Sequence, residues 1–114
     1  MGPYSQAIVC GNLVFCSGQI AIDPKTNQFT NGTIEQQTKQ VLENLKNVLI
    51  ASGSSLEEAL KVEVFLIDMA DYKTVNEIYS NYFVNKPARQ AVAVKELPLG
   101  ARIEISCIAR CKNV

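Results

Sequence analysis

The chain has 114 residues, 47% of them hydrophobic, with eleven basic and eleven acidic side chains that balance to zero and a pI near 6.2. That length suits one domain over residues 1–114, no apolar run is long enough to span a bilayer, and no basic segment supplies the electrostatic footprint of nucleic-acid binding. There is no histidine, which excludes Ser-His-Asp and Cys-His nucleophile pairs, histidine-based RNA cleavage and the common zinc sites.

Residues 5–9 and 13–19 read as strands joined by the turn pair Gly11-Asn12. A polar loop follows at 23–27, rich in turn residues. Residues 34–52 carry Ile34, Val41, Leu42, Leu45, Val48 and Leu49 at the 3.6 period, the signature of an amphipathic helix. Thr33 with Gln36 forms a capping box, and Gly53 stops the helix. A short helical turn is expected at 55–59, again from a Ser-x-x-Glu start. The near-continuous apolar run at 62–67 predicts a central strand covered on both faces. A second helix is expected over 71–83, with Tyr72, Val75, Ile78, Tyr79 and Tyr82 on one side, and Pro87 forbids its continuation. Strands at 88–95 and 102–111 complete a β-β-α-β-α-β-β order, an α+β fold with both helices on one face of a mixed sheet.

Strand parity carries a further expectation. Ile103, Ile105, Cys107 and Ala109 share one face of the last strand, opposite Arg102, Glu104, Ser106 and Arg110. In the preceding strand Val92 and Val94 oppose Arg89, Ala91 and Ala93. If the large aliphatics of both strands face the helices, Arg89 and Glu104 project together from the far side. With two helices covering one face, the other is left for a partner subunit, and a homo-oligomer enclosing both residues is expected.

Arg89 is the most informative residue, because a guanidinium cannot lose its charge and its burial demands compensation. Either a carboxylate of the chain meets it, Glu104 being a candidate, or the site receives an anionic ligand by a two-pronged grip. Glu104 could serve as an acid–base group or as an ordinary exposed carboxylate. Tyr4 lies near the terminus, where packing with a surface hydroxyl is the plain reading. Gly18, after Ser17, allows either close approach of a ligand or a bulge. Cys10, Cys16, Cys107 and Cys111 read as small buried side chains in a reducing compartment, without metal spacing.

Five segments, in order, carry a resemblance: Gly2-Pro3-Tyr4-Ser5-Gln6-Ala7, Ser17-Gly18-Gln19-Ile20, Val75-Asn76-Glu77-Ile78-Tyr79, Asn85-Lys86-Pro87-Ala88-Arg89, and 97–105 with its Ile103-Glu104-Ile105 strand. The chain resembles, nearly end to end, the RidA (YjgF-type) family of reactive-intermediate deaminases. The resemblance implies a chorismate-mutase-like fold, a homotrimer with clefts between subunits, and a cytoplasmic location, or the mitochondrial matrix if a targeting segment precedes Met1. It implies hydrolysis of 2-aminoacrylate, 2-iminopropanoate and 2-iminobutanoate to 2-keto acids and ammonia with no cofactor and no metal, protecting pyridoxal-phosphate enzymes. By motif position Arg89 would bind the carboxylate with help from the Ala91 N–H, Glu104 would hold the water, Tyr4 would be the cleft tyrosine, and Ser17 and Gly18 would line the pocket. Ala91 stands where some members carry cysteine, and Ser106 where a second glutamate is frequent. Endoribonuclease activity and a non-catalytic carboxylate- or protein-binding module are the competing readings.

Overall fold

The structure, a computed structural model, describes residues 2–112. Strand β1 (Ala7–Cys10) turns through Gly11, whose φ of +60° needs a residue without Cβ strain, into β2 (Leu13–Gln19). A short hairpin of two-residue strands, β3 (Ile22–Asp23) and β4 (Gln28–Phe29), brackets the polar loop and was not expected from its composition. Helix α1 (Ile34–Ala51) opens on the anticipated capping box: the Thr33 hydroxyl accepts from Gln36 N–H, and the Gln36 side chain accepts from Thr33 N–H at 2.9 Å. The turn at Leu56–Glu58 is a 3₁₀ turn, and Ser55 makes no side-chain cap there, so that second capping expectation fails. Strand β5 (Ala59–Leu66), helix α2 (Tyr72–Tyr82), β6 (Ala88–Ala93) and β7 (Ile103–Arg110) complete the chain.

The five long strands form one sheet in the order β1-β2-β7-β5-β6. All pairs are antiparallel except β5–β6, which α2 connects as a parallel crossover. Register fixes which residues share a face. Val14 pairs with Ala109, Cys16 with Cys107, Val62 with Cys107, Val64 with Ile105 and Leu66 with Ile103. These residues are buried and pack under α1 and α2 with Val41, Leu42, Leu45, Leu49, Val75, Tyr79 and Phe83. Both helices thus cover one face, as expected.

The opposite face carries Ile8, Phe15 and Val92, which are exposed, together with partly covered Phe65 and Ile108. Strand β5 is therefore central by its two neighbours but covered by this chain on one face only, which corrects the two-face expectation. Its outward side chains Lys61, Glu63 and Phe65 are of intermediate exposure. The cysteines also divide: Cys16 and Cys107 are buried opposite one another, whereas Cys111 is only partly covered and Cys10 is exposed beside the β1–β2 turn. No helix among the described residues is long and apolar enough to cross a membrane.

Leu45 on α1 is wholly buried, while Ile50 near the end of the same helix is 55% exposed. Truncation leaves a cavity only where neighbours cannot collapse, so Leu45→Ala should destabilise by about 2–5 kcal/mol and Ile50→Ala by well under that. Thermal unfolding followed by circular dichroism compares the two.

Candidate functional site

Arg89 lies on β6, an edge strand whose one neighbour is β5. It pairs in register with the fully buried Val62, which places it on the helix-covered face. This overturns the expectation that Arg89 and Glu104 project from the same side. Parity on an edge strand is set by register against its neighbour, and here Val92 turns outward while Ala91 and Arg89 turn inward under α2. The inward face is habitable for a cation because α2 supplies neutral acceptors and rings. Arg89 Nη1 donates to Asn76 Oδ1 at 2.6 Å, and Nη2 donates to the Tyr72 hydroxyl at 2.9 Å. The guanidinium carbon sits 4.8 Å from the Tyr79 ring centroid and 5.5 Å from that of Tyr72, within cation–π range.

Tyr72, Asn76 and Tyr79 fall at i, i+4 and i+7, one stripe of α2 facing the edge strand. Burial pushes the Tyr79 phenol up to about 12, with Arg89 pulling the other way, so it stays protonated under the guanidinium. Among the described residues no carboxylate answers the charge. The ion pairs among the described residues lie elsewhere, Arg102–Asp71 and Arg110–Glu58, each at 3.0 Å. Of the five N–H groups of Arg89, two meet these neutral acceptors, and the other three meet no protein acceptor among the described residues. A cation in this condition has donors left to offer an anion. The role of the α2 stripe was not assigned from sequence; an asparagine set four and three residues from two tyrosines was the available signal.

Strand β6 offers a second donor. The Val94 N–H donates to Leu66 O of β5 at 2.7 Å. Successive residues of a strand direct their N–H groups to opposite edges, so the Ala91 N–H points away from β5, toward the open edge. It lies two residues from Arg89, on the strand that carries the guanidinium.

Glu104 pairs with Phe65 and stands on the uncovered face. Between Cys16 and Gln19 strand β2 bulges against β7, and the glycine of that bulge, Gly18, abuts the Glu104 carboxylate. A Cβ at position 18 would lie 2.7 Å from Glu104 Cδ, a distance that forces the carboxylate to move. Glu104 opens onto a cleft of about 740 Å³ that Tyr4, Gln6, Gly18, Ile20 and Leu99 help to line. Partial burial raises its carboxyl above the ordinary value. Ser17 acts on the backbone beside the cleft. Its hydroxyl donates to Ser5 O at 2.6 Å and its N–H to Gln6 O at 2.9 Å, pinning the segment that carries Tyr4. Asn44 of α1 holds the β2–β3 connection by donating to Ile20 O and Ile22 O. Among the described residues no group of three or more metal-ligating side chains occurs.

The sequence model of the family described as Endoribonuclease L-PSP matches residues 1–111. The chain is 50% identical over 110 residues to Reactive Intermediate Deaminase A, chloroplastic, of Arabidopsis thaliana, covering 96% of this chain and 59% of that protein. It is 44% identical over 110 residues to the 2-iminobutanoate/2-iminopropanoate deaminase of Homo sapiens, covering 96% and 80% of the two. The crystal structure of E. coli TdcF with bound serine superposes with a TM-score of 0.91 at 36% identity, covering 96% of this chain and 89% of that one.

The raised Glu104 pKa has a stability consequence with a definite sign. A carboxyl whose folded pKa exceeds its unfolded pKa contributes fully below the unfolded value, and that contribution is lost as pH rises through the folded one. Glu104→Gln should therefore unfold at higher temperature than the parent at pH 7, with the gap closing near pH 4. An unchanged gap across that range would contradict a burial-raised carboxyl.

Proposed function

The chain belongs to the Endoribonuclease L-PSP family, the YjgF/RidA group, and from that premise we propose that it hydrolyses 2-imino acids to 2-keto acids and ammonia. The substrate class is 2-iminopropanoate and 2-iminobutanoate, reached from 2-aminoacrylate and its homologue by tautomerisation. One observation carries the reading. Arg89 is a rigidly held cation without a carboxylate partner among the described residues, set on an edge strand whose Ala91 N–H faces outward. That pairing of donors suits a small organic acid.

Arg89 and Glu104 lie on opposite faces of one sheet, so a single chain does not bring both to one small molecule. The reading therefore requires two copies, with the acid held by Arg89 of one and attacked from the Glu104 side of the next. The exposed face bearing Ile8, Phe15 and Val92 gives such an assembly an apolar surface to bury. We assign this face to a homotrimer, with the cleft beside Glu104 closed by the adjoining subunit.

The chemistry asks little of the protein. The imine carbon is already electrophilic, and binding the carboxylate fixes its orientation toward a water held by Glu104. Glu104 takes a proton as the water oxygen bonds to C2. It returns that proton to nitrogen. As the C–N bond breaks, the hydroxyl left on C2 gives up its own proton through Glu104 to the departing nitrogen and becomes the carbonyl, releasing ammonia and the keto acid. A carboxyl raised by burial is the better base for the first transfer and keeps the proton available for the second. Tyr4 and Gly18 line this side, and the step needs no cofactor, metal or histidine.

The family description also names endoribonuclease activity. Zero net charge and the absence of histidine weigh against direct RNA cleavage.

In a coupled assay that generates 2-aminoacrylate with a serine dehydratase, the protein should accelerate keto-acid formation. Arg89→Ala should lower kcat/KM at least about 100-fold, and Glu104→Gln should act mainly on kcat. No acceleration by the parent protein, or RNA cleavage abolished by Arg89→Ala, would replace the deaminase reading. Sedimentation at micromolar concentration should give about three times the 12.5 kDa of one chain. A monomer would sink the two-chain site.

A further inference from the structure

The hydroxyl of Tyr72 has a feature that its neighbours on α2 lack. It accepts from Arg89 Nη2 at 2.9 Å, yet the residue is 37% exposed. A phenol has one proton to give and lone pairs to accept with, and a guanidinium can only donate. The Tyr72 proton is therefore directed away from Arg89, and no acceptor for it occurs among the described residues. Accepting a bond from a cation also polarises the O–H and strengthens it as a donor.

We propose that Tyr72 is a third element of acid recognition at the Arg89 end of the site. Its hydroxyl clamps Nη2 in place and presents its own proton to the bound carboxylate. Two acceptors on one nitrogen, each near 2.9 Å and at trigonal angles, lie about 5 Å apart, the span that a single bridging water closes. The carboxylate that takes the second Nη2 hydrogen thus meets Tyr72 through one water. The ring of Tyr72 adds a separate contribution by standing 5.5 Å from the guanidinium carbon. Asn76 and Tyr79 do not duplicate this role. The Asn76 Oδ1 is occupied by Nη1 at 2.6 Å, and the Tyr79 hydroxyl is buried without a partner.

This inference rests on the carboxylate-binding reading of Arg89 and is tested so that the two fail separately. The affinity for 2-oxobutanoate, a non-reacting product of the proposed class, is measured by calorimetry alongside KM and kcat in the coupled assay. Tyr72→Phe keeps the ring and removes the hydroxyl, and should raise Kd and KM together about fivefold, with kcat falling less. Tyr72→Leu removes both and should raise them further. Recovery of part of the loss in Tyr72→Phe relative to Tyr72→Leu separates the ring from the hydroxyl. Equal Kd in Tyr72→Phe and the parent overturns the proposal, whatever the turnover. Binding of 2-oxobutanoate without hydrolysis of imines would end the enzymatic reading, while weaker binding by Tyr72→Phe would still uphold Tyr72.

Discussion

The Arg89 cluster depends on one charge that no carboxylate among the described residues neutralises. Arg89 is placed under α2, where its guanidinium touches two aromatic rings, a side-chain amide oxygen and a phenol oxygen, all neutral. A carboxylate there would cancel the cation and close the site, and removing the polar contacts would leave a costly bare charge. The neutral cradle does neither. It satisfies part of the guanidinium, fixes its plane and leaves its remaining hydrogens without a protein acceptor among the described residues. The other arginines show the contrast: Arg102 makes a two-oxygen contact with Asp71, at 3.0 Å to each, and ties β7 to the start of α2.

The rest of the fold keeps these elements in register. Gln37, wholly buried on α1, donates to Gly32 O and accepts from Arg102 N–H, linking the helix start to the strand that carries Glu104. Ser54 donates to Arg110 O at the other end of that strand. On β2 the bulge at Gly18 brings backbone directly against Glu104, and Ser17 uses its hydroxyl to hold the Tyr4 segment in place. Glu104 is thereby partly desolvated at the mouth of a cleft, which raises its proton affinity. Two clusters of opposite charge result, one cationic on the covered face and one acidic on the bare face.

Much of this was legible in the sequence. The long elements with clear period or punctuation appear close to their expected bounds: α1 begins at its capping box, and Leu13–Gln19 is a strand as its flanking turns require. The β3–β4 hairpin could not be anticipated, because two-residue strands carry no period. The chemical candidates were also visible, since a guanidinium within an apolar strand and a glutamate between isoleucines stand out without coordinates. Asn76 and Tyr72 stood on the second helix with no chemical role attached, because a helical stripe does not reveal which strand lies beneath it.

The amino-acid order by itself determined the long elements, the buried side of β7, and the chemistries that a chain without histidine and without net charge must forgo. Only the tertiary structure decided the face on which Arg89 lies. Strand β6 reads Ala-Arg-Gln-Ala-Val-Ala, with Val92 its one large aliphatic, so its own pattern is a weak guide to which side is buried, and its orientation follows from pairing with β5 and from the rings of α2 above. A long, flexible arginine can lie beneath a helix when neutral acceptors meet it there, and nothing within β6 itself encodes that those acceptors are waiting.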